Sequence, residues 1–560
     1  MLPLLLLVPT LLLGASSAVL VPPPPGPSPV ALAIVPLTDP SRRDDGSPLT
    51  SSSSSSHSSS PEPIPRRRIL TSVFVPLLPA AAGSAKHPSC DDRNDTSTNG
   101  SAPWWQCGGG CRLQTLPYMT RAVAASYGAQ AAQYRLPEDL YSRFEMQTCD
   151  PAYIPSPRPP PARCSTNPSR CRTRQPRQTN NTASDDTSCN TTYHGNDGND
   201  DANDKTGSGG GGRCRPARGG KTQLIVLTPG LSESRLLYSA LARSLASTTG
   251  LPVVTVDHPF EAQPGVEFPD GSVVPGLNVS GDDEEALSRL VKVRADDISF
   301  LLNNIATLLA HLPSPLRHHL HLPLHSPPRA LIVGHSLGGS AAAALLLSDP
   351  SRAVAAINLD GRVVFPAASV APLSSLPVPI PVTNEQKKDK RHRREARETG
   401  YTREETQKRD NSDSKENKGK KEEKKRQRPG PLVQLGRPNH RAEDPTWNAT
   451  WPILNGGGGN INSSSCAGGP VVELSVAGTA HAAFTDRPLL LLAAGSGLSD
   501  AQRGVAAQLV GTMGARRLEE VLGGVVGRVL DVVEGGDGRV LLGGVGRCYR
   551  EVEVVRSRGL

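Results

Sequence analysis

The sequence predicts an α/β protein with a mostly parallel sheet and helices on both faces, because strand-length apolar runs alternate with helical patterns from residue 223 onward. "QLIVLTPG" is a buried-strand run, "ESRLLYSALARSLASTTG" an amphipathic helix closed by Gly250, and "LPVVTVD" the next strand. The helix "EALSRLVKVRADDISFLLNNIATLLAHL", the strand "RALIVG" and the helix "SAAAALLL" follow. Strands are then expected at "AVAAINLD", "VPIPVTN" and "VVELSVAG". Ordered elements begin earlier, with a strand pattern in "RRRILTSVFVPLL" (66–78) and helical spacing in "LPYMTRAVAASYGAQAAQ" (116–133).

The second observation is how much of the chain cannot pack. Of 560 residues only 4% are aromatic, while 54 are glycine and 53 proline. A Pro/Ser-rich low-complexity segment spans 19–65, and its run from 21 to 63 is read as unable to build a core. The α/β domain is expected over 66–560, with low-complexity insertions at about 80–112 and 155–220 and a charged, disordered insertion at 385–429. Between Glu385 and Arg428 there are 18 Lys or Arg against 11 Asp or Glu, so this segment carries +7 of the chain's +8. The rest is nearly neutral, and a basic balance so confined gives no nucleic-acid surface. The insertion follows a strand, on the side of the sheet where the loops after strands gather, so it is expected to help dock the protein on anionic lipid.

The stretch Met1–Ala18, "MLPLLLLVPTLLLGASSA", reads as a secretory signal peptide: an apolar run too short to span a membrane, then small side chains. The ten cysteines include no CxxC, which favours disulfides over a zinc site. Seven N-x-[ST] sequons, at Asn94, Asn99, Asn180, Asn190, Asn278, Asn448 and Asn462, suit the same compartment. The expectation is a secreted, disulfide-bonded glycoprotein without a transmembrane helix.

The third observation locates chemistry. Gly334-His335-Ser336-Leu337-Gly338 fits G-x-S-x-G and lies between the strand "ALIV" and the helix "SAAAALLL", the setting in which a strained turn projects a nucleophilic serine. A serine hydroxyl needs a base and an acid that orients it, in the chain order Ser, acid, His in α/β-hydrolases. Asp360 ends the strand "AAINLD" and is preferred as acid over Asp349, which belongs to a turn beyond the elbow's helix. His481, in the loop "TAHAAFTD" after a late strand, is the expected base. His392 and His440 lie in or near low-complexity sequence, and the His311–His325 cluster precedes the serine. The oxyanion donors are expected to be the backbone N–H groups of Leu337 and of Leu231 in "VLTPGLSESRLL".

With these residues in place, a resemblance emerges. "TPGLSESRLLYSALARSLA", "VDHPFEA", "VRADDISFLL", "GHSLGGS", "INLDG" and "GTAHAAFTD" resemble the secreted platelet-activating factor acetylhydrolases, particularly their fungal-type relatives. The resemblance covers roughly 223–365 and 443–555. It implies an α/β-hydrolase fold and metal-independent, cofactor-free hydrolysis of the sn-2 ester of phospholipids bearing an acetyl, short or oxidised acyl chain. It places the family's nucleophile on Ser336, its acid on Asp360, its base on His481 and its oxyanion amides on Leu231 and Leu337. It also implies peripheral contact with lipid surfaces. Two other readings are a cutinase- or lipase-like esterase and a catalytically silent binding protein.

Overall fold

The computed structural model describes residues 17–44, 65–77, 111–154, 221–364 apart from 321 and 323–325, 429–454 and 469–559. Its strands, in chain order, are β1 (Val19–Leu20), β2 (Val30–Arg43), β3 (Arg66–Pro76), β4 (Leu113–Pro117), β5 (Phe144–Cys149), β6 (Leu224–Thr228) and β7 (Val253–Asp257). Then come β8 (Gly265–Glu267), β9 (Val273–Pro275), β10 (Ala330–His335), β11 (Ala353–Leu359), β12 (Leu432–Gly436), β13 (Val471–Val476) and β14 (Val552–Arg558). Twelve form one sheet in the order β1-β5-β2-β3-β7-β6-β10-β11-β12-β13-β14, with β4 paired to β5, while β8 and β9 form a separate hairpin. From β7 to β13 every neighbour is parallel. The flanking pairs β2/β3, β3/β7 and β13/β14 are antiparallel.

The parallel part is buried on both faces, as such sheets are. Ile225, Leu227, Leu331, Val333 and Ile357 face one core with the helices α1 (Arg121–Gln133), α2 (Ser239–Thr249) and, late in the chain, Ala515–Val533. Their alternates Leu224, Val226, Ala330 and Ile332 face the other with α3 (Glu284–Asn303) and α4 (Leu337–Ser348). Alternation with period two thus feeds two cores from each strand. α2 ends at Gly250, at φ 69°, as its sequence predicts.

The structure departs from the sequence expectations in three places. Residues 30–43, inside the segment 19–65 read as low-complexity, form the 14-residue β2, which buries Ala31, Val35 and Leu37. The run "VALAIVPL" is short and flanked by proline and serine tracts that dominate its local composition, and long-range pairing with β3 supplies what local propensity lacks. β12 arises from "PLVQLG", after the charged insertion, and lies between β11 and β13. The expected helix over 116–133 begins only at Arg121, because Leu116 and Pro117 belong to β4. The strand expected at "VPIPVTN", the leader up to residue 16, and nearly all of the three insertions lie outside the described residues.

Cys111 and Cys149 form a disulfide, Cα atoms 5.6 Å apart, tying the start of the β4 segment to the end of β5. Cys548 is also disulfide-bonded. Among the described residues no helix is long and apolar enough to cross a membrane.

Candidate active site

After β6 the chain adds β7 on one side and crosses over α3 to β10 on the other, so the strand order reverses between β6 and β10. In an open α/β sheet a ligand crevice forms at the carboxyl ends of the strands at such a point. The expected residues converge there: Leu231 follows β6, Ser336 follows β10, Asp360 follows β11, and His481 follows β13.

Ser336 is the turn between β10 and α4, with φ 54° and ψ −122°, a conformation a side-chain-bearing residue adopts only under constraint. The flanking glycines provide it. A Cβ on Gly334 would lie 2.1 Å from the carbonyl oxygen of Gly338, and one on Gly338 would lie 2.3 Å from that of Thr228. The Ser336 N–H donates to the Leu359 carbonyl at 2.9 Å, pinning the turn to β11.

Asp360 is buried, also at positive φ, and its carboxylate accepts three hydrogen bonds beside an ion-pair contact from His440. His481 Nδ1 lies 2.7 Å from Oδ2, which the Arg437 guanidinium also approaches. Oδ1 accepts the Arg437 N–H at 2.9 Å and lies 2.8 Å from His440 Nδ1. Burial opposes its charge, but hydrogen bonds from His440 and His481, with the Arg437 amide, outweigh it and hold the carboxyl well below the usual carboxylate range. Asp360 therefore stays ionised. His481 is half-exposed, with Nδ1 engaged by the carboxylate. Ser336, Asp360 and His481 line one cavity of about 430 Å³ together with Arg362, Arg437, His440, Glu443, Asp444 and Pro445. Asp349 instead pairs with Arg352 and Ser351 in the turn after α4.

The loop after β6 is fastened from beneath. The buried Arg294 of α3, paired with Glu261 at 2.7 Å, donates to the carbonyls of Pro229 and, at 3.1 Å, Gly230. The Gly230 N–H donates to the Tyr238 hydroxyl at 3.0 Å. Among the described residues the Leu231 N–H donates to no acceptor. Leu337 opens α4, so its own N–H has no acceptor within the helix. Among the described residues, two amide donors without a backbone acceptor thus lie beside the elbow.

Sequence reasoning missed two participants. His335, the variable residue of the motif, packs 4.7 Å, centroid to centroid, from the His481 ring. Its Nε2 lies 3.1 Å from the His481 carbonyl and its Nδ1 2.7 Å from the Tyr238 hydroxyl, joining the elbow, the His481 loop and, through Tyr238, the loop after β6. Burial pushes its proton affinity down despite Glu233 nearby. His440, set aside because of its surroundings in sequence, is buried against Asp360. The spacing of neither residue signals this; a histidine inside G-x-S-x-G was the one available hint. Among the described residues no group of three or more His, Cys, Asp or Glu side chains could hold a metal ion.

No family model matches the chain, and no curated protein matches it. Solved structures similar to it include a ferulic acid esterase from Streptomyces cinnamoneus, 17% identical over 96% of this chain and 100% of that one, with a TM-score of 0.47. Another is the siderophore hydrolase EstB from Aspergillus nidulans, 15% identical over 52% of this chain and 83% of that one, with a TM-score of 0.22. The chain has the α/β-hydrolase fold: a parallel sheet covered by helices on both faces, with a strand-turn-helix elbow at its centre.

Proposed function

We propose that the chain is a serine-dependent carboxylic ester hydrolase acting on the sn-2 ester of phospholipids with an acetyl, short or oxidised acyl chain. The observation that carries the chemistry is the meeting, in one cavity, of a strained Ser336 and a His481 held by the ionised Asp360. The lipid specificity is supported by the sequence resemblance to the platelet-activating factor acetylhydrolases. In this reading the Ser336 hydroxyl passes its proton to His481 Nε2 as its oxygen attacks the ester carbonyl. The Leu231 and Leu337 N–H groups receive the developing oxyanion. His481 then protonates the departing glycerol oxygen, leaving an acyl-serine. Water, deprotonated by the same imidazole, attacks the acyl carbon and frees the carboxylic acid and Ser336. Asp360 keeps the Nδ1–H tautomer throughout and balances the imidazolium.

Secretion belongs to the same proposal, supported by the leader-like stretch Met1–Ala18 and by the Cys111–Cys149 disulfide, which suits an oxidising compartment. The test is a fluorophosphonate probe on purified protein, followed by an sn-2 acyl-length series. Labelling at Ser336 and turnover falling with acyl length support the proposal. Absence of labelling overturns the chemistry, and a preference for non-phospholipid esters overturns the substrate.

A further inference from the structure

An ester has an acyl half and an alcohol half, and the residues around Ser336 offer unlike surroundings to the two. Leu231 and Leu337, whose amides lie beside the elbow, belong to one apolar cluster with Val279, Leu287 and Val364. The cavity that Ser336 shares with Asp360 and His481 is lined otherwise by charged and polar side chains and Pro445. The cluster suits an acyl chain, and the charged cavity suits a polar alcohol half.

Arg362 stands in that cavity, two residues beyond the acid, on backbone that is firmly held. The Gly361 N–H donates to Asn358 Oδ1 at 2.9 Å, and the Gly361 carbonyl accepts the Trp447 indole N–H at 2.7 Å. The Ser340 hydroxyl of α4 donates to the Arg362 carbonyl, and the Val363 N–H donates to the Thr446 hydroxyl at 2.9 Å. A Cβ on Gly361 would lie 2.0 Å from the Ser336 carbonyl oxygen, so this segment runs against the backbone of the nucleophile itself.

The two guanidiniums that line the cavity differ in how far their charge is committed. Arg437 pairs with the buried Asp360 and, at 2.6 Å, with Glu443. Arg362 is held more loosely: Nη1 donates to the Gly281 carbonyl and Nη2 meets Glu284 Oε1, both at 3.3 Å. That carboxylate is 78% exposed and the Arg362 side chain 42%, and an ion pair so long and so wet contributes little. The acids of the same cavity are committed elsewhere, Glu443 to Arg437 and the buried Asp444 to the Thr446 N–H at 2.9 Å.

Resting on the phospholipid reading above, we infer that Arg362 is a specificity-determining residue whose guanidinium binds the phosphodiester of the substrate. Its planar fork can place two N–H groups on two phosphate oxygens, a match that the single carboxylate of Glu284 yields to readily. The phosphate so held draws the glycerol half of the ester into the charged cavity and leaves the acyl chain to the apolar cluster. An ester without a phosphate gains nothing from this contact.

The experiment uses the full-length protein and two soluble substrates that differ in the phosphate: dibutyryl phosphatidylcholine in its monomeric state, and dibutyrylglycerol. Arg362→Gln should lower kcat/KM for the phospholipid about tenfold more than for dibutyrylglycerol, chiefly through KM. Arg362→Lys keeps the charge but not the fork and should recover part of that loss. Glycerophosphocholine, which carries the phosphodiester without a carboxylic ester, should inhibit dibutyrylglycerol hydrolysis competitively in the wild type and about tenfold more weakly in Arg362→Gln. Equal falls on the two substrates, with inhibition unchanged, overturn the role of Arg362, and a wild type that cleaves the phospholipid then leaves the proposed function standing. A wild type that cleaves dibutyrylglycerol but not the phospholipid overturns the phospholipid reading and this inference with it. A wild type that cleaves neither overturns the esterase assignment itself.

Discussion

The molecule pairs an imidazole with a carboxylate near a hydroxyl twice. At the cavity, His481 Nδ1 lies 2.7 Å from Asp360 Oδ2, and Ser336 lines the same cavity. Beneath the oxyanion loop, His258 Nδ1 lies 2.9 Å from Asp297 Oδ2 and its Nε2 3.0 Å from the Thr228 hydroxyl. The second set has the better-formed contacts, yet all three residues are almost wholly buried, with Thr228 and Asp297 at 0% exposure. Thr228 ends β6 in regular strand conformation, whereas Ser336 stands on a turn at positive φ. Asp297 also carries Arg67 at 2.7 Å and Arg42 at 2.8 Å, so it ties β2 and β3 to α3. Hydrogen-bond geometry alone therefore does not make a catalytic site. A more exposed imidazole, a hydroxyl projected by a strained turn and a cavity beside them distinguish the proposed catalytic set from the interior one.

The comparison can be broken most directly at the hydroxyls. Ser336→Ala should remove fluorophosphonate labelling and lower ester turnover by several orders of magnitude, while Thr228→Val should leave labelling intact. Labelling that survives the first change or vanishes with the second would exchange the two assignments. At the carboxylates, Asp360→Asn should lower turnover by about 10⁴ through the wrong tautomer of His481, with a lower melting temperature because Arg437 loses its buried counter-charge. Asp349→Asn, altering a turn remote from the cavity, should leave the rate close to wild type.

Arg294 sharpens the link between the two sets. Arg294→Met releases the carbonyls of Pro229 and Gly230, and loss of one well-aimed oxyanion donor should cost about 10²-fold in kcat, with KM little changed. A KM effect alone would show that the loop shapes binding and does not aim a donor.

The interior set should report through stability. Asp297→Asn leaves Arg67 buried without its main counter-charge, at a cost of about 3–5 kcal/mol by denaturant titration. Burial opposes the charge of Asp297, but Arg67 and His258 outweigh it and hold the carboxyl well below the ordinary range. Its contribution is therefore full at neutral pH, since both folded and unfolded chains are ionised there. It is lost as pH falls below the ordinary carboxylate value, where the unfolded chain takes up the proton first. The wild type should lose stability in that acid window, and Asp297→Asn should lose less of it.

Periodicity and spacing alone determined the succession β6, α2, β7, α3, β10, α4 and β11, though not the β8/β9 hairpin, and with it the elbow at Ser336 and the strand ends carrying Asp360 and His481. These depend on local rules: apolar residues at every second or every third to fourth position, and glycines where backbones must touch. Only the tertiary structure decided the rest. β2 owes its place to a partner far along the chain, and β12 appears only where the sheet leaves room between β11 and β13. His440 touches Asp360 across the whole charged insertion, and Arg294 reaches the oxyanion loop from α3, beyond β7 and the β8/β9 hairpin in the chain. A side chain's charge state and task depend on what other segments bring within a few ångströms of it, and no local pattern encodes that distance.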